Sequence, residues 1–233
     1  MPEYPNVLII GGNRGIGLEW VKQWLDRGAR VFATARKPES AAELQSLEQS
    51  SDGALSIHQV DVGSDESVEK LANGLGAANL DILIHNAGVM GRKGLNSLDT
   101  DDVLHTIDVN AVGALRTVRA FRDSLRKSDG RSKIALLTSL MGSIADNGSG
   151  GSYAYRMSKA ALNMAGKSLA VDLAKDNIDV MILHPGWVKT DMGGPNARIN
   201  VQESVSGMME RLDALNPELS GTFWHSNGKE LPW

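Results

Sequence analysis

The sequence contains no cysteine, so disulfide bonds and thiolate chemistry are both excluded. It also lacks any apolar run near the ~20 residues that a membrane-spanning helix needs, and we expect no membrane partner. The net charge is −4, so the sequence also lacks the excess of positive charge that would favour nucleic acid as a partner. No basic segment precedes the first apolar run, so no signal peptide is indicated. These absences favour a cytoplasmic protein.

Apolar runs alternate with helix-like patterns along all 233 residues, a length that fits one α/β domain. Strands are predicted over residues 6–10, 30–35, 55–60, 80–85, 133–138, 179–183 and 220–224. Helices are predicted from Ile16 towards Gly28 and over residues 64–75, 100–125, 153–175 and 201–215. The alternation predicts a Rossmann-type doubly wound parallel sheet of about seven strands with helices on both faces.

Three glycines follow the first predicted strand in the spacing GxxxGxG, at Gly11, Gly15 and Gly17. Glycine permits a sharp turn and lets the backbone approach a pyrophosphate closely, and the N-terminus of the following helix favours an anion. Tight turns that bind nothing use the same residues. The position between a strand and a helix, at the start of an α/β pattern, favours a nucleotide-binding turn.

The charge at the end of the second predicted strand bears on which nucleotide binds. A cofactor with a free ribose 2′-hydroxyl usually meets an Asp or Glu there, but no carboxylate precedes Glu39. Arg36 is suited to bond a 2′-phosphate through two N–H groups, and Arg14 in the glycine turn adds a second cation. A solvated basic loop is the alternative interpretation. The pattern favours NADP(H) over NAD(H).

Tyr155 and Lys159 are spaced one helical turn apart, and Ser139 follows a predicted strand. The ammonium would favour the phenolate and lower the tyrosine pKa from its usual value near 10, and the serine hydroxyl would hold a carbonyl oxygen. The YxxxK spacing also arises by chance, and two solvated helix residues are the plain alternative. A proton donor to a carbonyl oxygen is the functional interpretation.

The candidate motifs fall at the ends of predicted strands. Ligands of parallel sheets bind at the carboxyl ends of the strands, where side chains from distant parts of the chain meet. The positions concerned are the glycine turn, Asp61, Asn86 to Gly88, Ser139, and Pro185 with Gly186. This coincidence predicts one site along that edge of the sheet.

Together these motifs resemble the short-chain dehydrogenase/reductase family over essentially the whole chain, most of all its C-factor-like and sniffer-type carbonyl reductase branch. The resemblance implies a single domain over residues 1–233, with a cofactor-binding N-terminal half and a catalytic, substrate-binding C-terminal half. It implies NADP(H) as cofactor, and no metal site is predicted. The implied cofactor-binding residues are Gly11, Asn13, Arg14, Gly15, Ile16, Gly17, Arg36, Asp61, Val62, Asn86, Ala87, Gly88, Tyr155, Lys159, Pro185, Gly186, Val188 and Thr190.

The implied catalytic residues are Asn110, Ser139, Tyr155 and Lys159. Tyr155 would protonate a small aldehyde, ketone or quinone while Lys159 lowers its pKa, and Asn110 would interrupt its helix and hold a water in a proton relay. Two alternatives remain: a cofactor-binding signalling protein of the C-factor type with little turnover, and an NAD-dependent alcohol dehydrogenase. The resemblance further implies that helices 100–125 and 153–175 pair in a homo-oligomer, a dimer or tetramer, although a monomer is also compatible with the sequence.

Several positions depart from the family pattern. Ile10 replaces a common threonine, which removes one hydroxyl that would stabilise the turn. His85 replaces the first asparagine of Asn-Asn-Ala-Gly, and we expect a structural, hydrogen-bonding side chain there. A longer segment between Ser139 and Tyr155 leaves two other candidates for the catalytic hydroxyl, and a second tyrosine lies nearby; these residues are Thr138, Ser143 and Tyr153. Side chains that could line an apolar substrate pocket, or pack elsewhere, are Met141, Trp187 and Met192.

Overall fold

The computed structural model describes residues 5–76, 78–92 and 94–233. Within them, seven parallel strands form one sheet in the order β3-β2-β1-β4-β5-β6-β7. The strands are β1 Asn6–Ile10, β2 Arg30–Ala35, β3 Leu55–Gln59, β4 Ile82–His85, β5 Ser132–Leu137, β6 Ile178–His184 and β7 Phe223–His225. The order reverses between β1 and β4, which is where doubly wound sheets bind ligands. The predicted fold class is confirmed.

Helices connect the strands and cover both faces of the sheet. They are α1 Gly15–Asp26, α2 Ala42–Ser50, α3 Asp65–Leu75, α4 Thr100–Ile107, α5 Gly113–Leu125, α6 Tyr153–Leu173 and α7 Val201–Ala214. The side chain of Ser64 caps α3 by accepting a hydrogen bond from the Ser67 amide, as the sequence predicts. None of the helices in the described part of the chain is long and apolar enough to cross a membrane.

Alternate residues of β1 supply the two halves of the core. Val7 and Ile9 pack with Trp20 and Trp24 of α1 and with methionines of α7 on one face. Leu8, on the opposite face, belongs to a cluster with apolar residues of α3, α5 and α6. Because both faces of a strand are buried in this architecture, the strand reads as a continuous apolar run instead of an alternating one.

The helix predicted over residues 100–125 is interrupted in its middle. Asp108–Val112 forms a π-helical turn between α4 and α5, and we call this segment the π turn. Asn110 lies at its centre and is completely buried. Single π-helical turns inside helices are frequent at functional sites, and this one contains the asparagine that the resemblance marks as catalytic.

Candidate active site

The glycine turn after β1 requires glycine at positions 11 and 17. Gly11 has a φ of +83°, a conformation that other residues rarely adopt. A Cβ on Gly17 would lie 1.9 Å from the Gly11 carbonyl oxygen, so α1 could not approach the end of β1 with any larger residue there. The Gly11 carbonyl also accepts a hydrogen bond of 2.7 Å from Nδ2 of Asn86, which joins two of the predicted motifs.

Thr34 provides the hydroxyl that Ile10 lacks. The amide of Gly11 donates to Oγ1 of Thr34 at 3.0 Å, from the neighbouring strand β2. The sequence analysis did not identify this role, because Thr34 lies 23 residues away in the chain and is completely buried. A threonine inside an otherwise apolar strand next to the glycine turn was the available signal, since a buried hydroxyl needs a partner.

The N-terminus of α1 is suited to bind an anion. In the described part of the chain no side chain caps it, and its first turn contains no acidic residue. The amide groups that a helix leaves unpaired at its start are therefore not satisfied by a side chain, and they favour a negative ligand. These observations fit the pyrophosphate of a dinucleotide between the glycine turn and α1.

The two arginines predicted to bind a 2′-phosphate both lie at this end of the sheet, in different surroundings. Arg36 follows β2 directly and is exposed. Arg14 instead forms an ion pair with Asp191, in the segment after β6. That segment lies against the glycine turn, because a Cβ on Gly15 would be 3.3 Å from Cγ2 of Thr190. Asp191 was not among the predicted site residues.

The Asn-Ala-Gly motif after β4 lies between the glycine turn and the catalytic candidates. A Cβ on Gly11 would be 3.1 Å from the backbone of Ala87. A Cβ on Gly88 would be 3.1 Å from Oδ1 of Asn110 and 3.5 Å from Nζ of Lys159. The structure therefore brings three separate motifs together at Gly88.

Asn110 is fixed by three hydrogen bonds. Its Oδ1 accepts from the amide of Val89 at 2.7 Å, and its Nδ2 donates to the Val89 carbonyl and to Oγ of Ser158, each at 2.8 Å. The side chain is thus committed to protein groups. It joins the π turn to the segment after β4 and to α6.

Ser139, Tyr155 and Lys159 are buried together where β5 ends and α6 begins. Nζ of Lys159 lies 5.7 Å from the centre of the Tyr155 ring and donates to the Leu137 carbonyl at 2.8 Å. Oγ of Ser139 accepts from the amide of Met141 at 3.1 Å. These three side chains are close in space, as the sequence predicts.

The competing hydroxyls are engaged elsewhere. Oγ1 of Thr138 donates to Oδ1 of Asn163 at 2.6 Å. Oγ of Ser143 donates to the carbonyl of Trp233 at 3.1 Å. Tyr153 is 38% exposed, whereas Tyr155 is 8% exposed. The geometry therefore favours Ser139 as the hydroxyl and Tyr155 as the phenol of the site.

Residues 5–199 match the family model described as short chain dehydrogenase. The chain belongs to this family. It is 39% identical, over 97% of its length and 99% of the relative, to a 1-hydroxy-2-glutathionyl-2-methyl-3-butene dehydrogenase of Rhodococcus sp. (strain AD45). It is 49% identical to the C-signal protein of Myxococcus xanthus, over 66% of this chain and 93% of the relative.

Solved structures of carbonyl reductases have the same fold. The carbonyl reductase Sniffer of D. melanogaster superposes with a TM-score of 0.92 at 32% identity, covering 99% of this chain and all of the other. An NADPH-bound carbonyl reductase from chicken fatty liver gives a TM-score of 0.93 at 33% identity, with the same coverage. The predicted family and its C-factor and sniffer branch are confirmed, and the protein is an oxidoreductase of a family that uses nicotinamide cofactors.

Burial dominates the titration of the site. It raises the pKa of the Tyr155 phenol, and a hydrogen bond with Ser139 opposes this in part. Burial also lowers the pKa of Lys159 to about 8. The prediction that Lys159 lowers the tyrosine pKa is therefore wrong in the net direction: Tyr155 remains a protonated phenol at neutral pH, the form that donates a proton.

The side chain of His85 does not have the hydrogen-bonding role that we predicted from the sequence. Burial, with a smaller effect of the Lys159 charge, lowers its pKa to about 3, so the ring is neutral. Neither ring nitrogen has a hydrogen-bond partner among the described residues, so the expectation of a hydrogen-bonding role is wrong. The ring fills space at the end of β4 beside the site.

Of the three predicted pocket residues, Met141 is partly buried, and the other two lie at the surface near the site. Trp187 is 50% exposed and Met192 is 47% exposed, both in the segment that follows β6. Nε1 of Trp187 donates to the carbonyl of Gly193 at 2.8 Å, which fixes the indole within that segment. Ile144, 81% exposed after β5, is a further apolar side chain that the sequence did not single out.

Proposed function

We propose that the protein is an NADPH-dependent reductase of small carbonyl compounds, with Tyr155 as general acid. The observation that carries this proposal is the burial of Tyr155, Ser139 and Lys159 at the carboxyl edge of the sheet. At this edge, Nζ of Lys159 and Oδ1 of Asn110 both lie beside Gly88. A binding module has no need of a protonated phenol, a hydroxyl and an ammonium gathered where the family's cofactor binds.

The proposed cofactor site extends along the carboxyl edge of the sheet. The glycine turn and the uncapped start of α1 would bind the pyrophosphate, and Asp61 with Val62 would contact the adenine. Arg36, with no carboxylate at the end of β2, favours the 2′-phosphate of NADP(H), and the NADPH-bound chicken reductase supports that choice. Pro185, Gly186, Val188 and Thr190, after β6, would place the nicotinamide.

The chain's own groups would handle the proton. The reduced nicotinamide, when bound, supplies the hydride. Oη of Tyr155 would donate its proton to the substrate oxygen, and Oγ of Ser139 would orient that oxygen. Lys159 would replenish the proton and bond the nicotinamide ribose, and Asn110 would position the π turn for a water relay to Lys159. We assign the catalytic and cofactor-binding roles to the same residues that the sequence predicts.

The proposed substrate class rests on how little of the chain covers the site. The segment between Thr190 and α7 is short, and Trp187 and Met192 are about half exposed, which leaves the pocket open. We therefore propose small aldehydes, ketones or quinones as substrates.

We also propose a homo-oligomer in which the helical segments 100–125 and 153–175 pair, with α4 and α6 contributing the exposed apolar surface. These helices contact each other and expose large apolar side chains that a partner subunit would cover. They are Leu104, Met157, Met164 and Val171, each at least half exposed.

The names of two relatives suggest alternative functions. The Rhodococcus relative is named a dehydrogenase, which favours alcohol oxidation as the second candidate, the same chemistry run in reverse. The relative named C-signal favours a cofactor-binding signalling protein. The charge at the end of β2 argues against NAD(H) in either case.

One assay separates these functions. The purified protein is mixed with NADPH or NADH and a panel of small aldehydes, ketones and quinones, and the absorbance at 340 nm is followed. The proposal predicts oxidation of NADPH with at least one carbonyl and slower oxidation of NADH. Tight NADPH binding without turnover, in either direction of the reaction, would favour signalling. A clear preference for NADH would contradict the assignment of Arg36.

A further inference from the structure

Arg116 of α5 is nearly buried and binds three separate segments. Its Nη2 donates to Oδ1 of Asp108 at 2.7 Å, at the start of the π turn. Its Nη1 donates to the Val62 carbonyl at 3.1 Å, just after β3. Its Nε donates to Oδ2 of Asp65 at 3.2 Å, in the first turn of α3. The Arg116 side chain is 15% exposed, whereas its partners Asp108 and Asp65 are 36% and 56% exposed.

The segments that Arg116 joins are also packed directly on one another. A Cβ on Gly113, at the end of the π turn, would lie 3.0 Å from the side chain of Val62. A Cβ on Gly63 would lie 3.3 Å from Oδ1 of Asp61 and 3.4 Å from Oδ2 of Asp108. The segment proposed to bind adenine, residues 61–63, therefore packs closely against the π turn and the start of α5.

We infer that Arg116 is a positioning residue that fixes the π turn, and with it Asn110, against the adenosine-binding segment 61–63. The structural part of this inference follows from the contacts alone. Its catalytic consequence rests on the proposed function. Binding at the adenosine end and the placement of Asn110 beside Lys159 would then depend on one guanidinium.

An ordinary surface ion pair would have no such effect, and the chain offers one for comparison. Arg119 lies one turn further along α5, is 67% exposed, and contacts Asp65 and Glu69. Exposed pairs of this kind contribute little to stability. Within the described part of the chain, Arg119 forms no hydrogen bond or ion pair with the π turn. Arg119→Gln therefore removes the same charge from the same helix and serves as the matched control for Arg116→Gln.

The first test needs no turnover. The amide of Val89 bonds to Oδ1 of Asn110, so its hydrogen exchange, followed by NMR, reports where Asn110 lies. Arg116→Gln should speed this exchange by ~10-fold or more, the effect of losing about one hydrogen bond, and Arg119→Gln should leave it unchanged. Unchanged exchange in Arg116→Gln, or the same increase in both variants, would overturn the inference. If Arg116→Gln does not fold, Arg116→Lys, which loses the planar fork of donors, replaces it with the same expectations.

The second test uses turnover in a double-mutant cycle. Arg116→Gln should lower kcat by ~10-fold and raise the KM for NADPH in the wild-type background. In the Asn110→Ala background it should leave kcat nearly unchanged, because the residue through which it acts is already gone. An equal loss of kcat in both backgrounds would overturn the inference. If the wild type reduces no carbonyl, the proposed function fails, and the exchange test alone decides the role of Arg116.

Discussion

At the scale of the residue, burial sets the acid–base properties of Tyr155 and Lys159. The spacing of four predicts that the two side chains share a face of α6, and they do. It does not predict how deeply that face is buried, and depth decides the sign of the pKa shift. A raised pKa keeps the phenol of Tyr155 protonated, which is the form that can donate, but it also makes the phenol a weaker acid, so burial alone does not activate it.

Arg36 carries the proposed preference for NADP(H). Arg36→Ala should lower kcat/KM for NADPH by about 10- to 100-fold, because a charged hydrogen bond contributes about 1.5–3 kcal/mol, and should leave kcat/KM for NADH unchanged. Steady-state kinetics with both cofactors measures this. The control is Arg30→Ala, which removes an exposed arginine at the opposite end of β2. An equal loss with both cofactors would show that Arg36 does not contact the 2′-phosphate.

At the scale of the element, the glycine turn depends on the close approach of α1 to the end of β1. Gly17→Ala should weaken NADPH binding by ~10-fold or more, because the added methyl group would collide with the Gly11 carbonyl and displace the turn. Fluorescence titration with NADPH measures this.

The matched control is Gly74→Ala in α3, where a Cβ meets nothing within 4 Å. It should stabilise the protein by up to about 1 kcal/mol, the usual gain of alanine over glycine in a helix, and leave NADPH binding unchanged. Normal NADPH affinity in Gly17→Ala would contradict the described turn.

Elements with a strong apolar pattern were predictable, and elements shaped by distant contacts were not. β2 has the predicted bounds, because a strand buried on both faces is apolar from end to end. α2 was missed, because Leu44 is its one buried residue among those described and its pattern is weak. The apolar pattern over residues 100–125 predicts a continuous helix, and only the family resemblance predicts an interruption at Asn110, which the structure confirms. The π turn within it follows from contacts of Asn110 with Val89 and Ser158, which no local pattern contains.

At the scale of the whole molecule, the parallel sheet is the reason that much of the site could be predicted. Parallel strands end at one edge, so motifs that follow β1, β4, β5 and β6 meet there whatever their separation in sequence. The supporting residues could not be predicted in this way. Thr34, Asp191 and Arg116 carry no motif, and each acts through a contact with a segment far away in the chain.

The buried His85 should make the stability of the whole molecule sensitive to acid. Its pKa is about 3 in the folded state and near 6.5 when unfolded, so the unfolded state binds one more proton between these values. Stability therefore falls as the pH drops from 6.5 towards 3. His85→Asn should reduce the slope of unfolding free energy against pH by up to about 1.4 kcal/mol per pH unit in this window.

Urea unfolding at several pH values measures that slope. A slope in His85→Asn equal to that of the wild type would show that the ring is not buried as a neutral base.

The central claim is that Tyr155 gives its proton to a carbonyl oxygen, and one comparison tests it most directly. The turnover of Tyr155→Phe is measured at 340 nm with NADPH and the best carbonyl of the panel, beside Tyr153→Phe, which removes the exposed phenol two residues away. Tyr155→Phe should lose about 10²- to 10⁴-fold in kcat while NADPH binds nearly as tightly as before, and Tyr153→Phe should keep its activity. Near-normal turnover in Tyr155→Phe would contradict the claim.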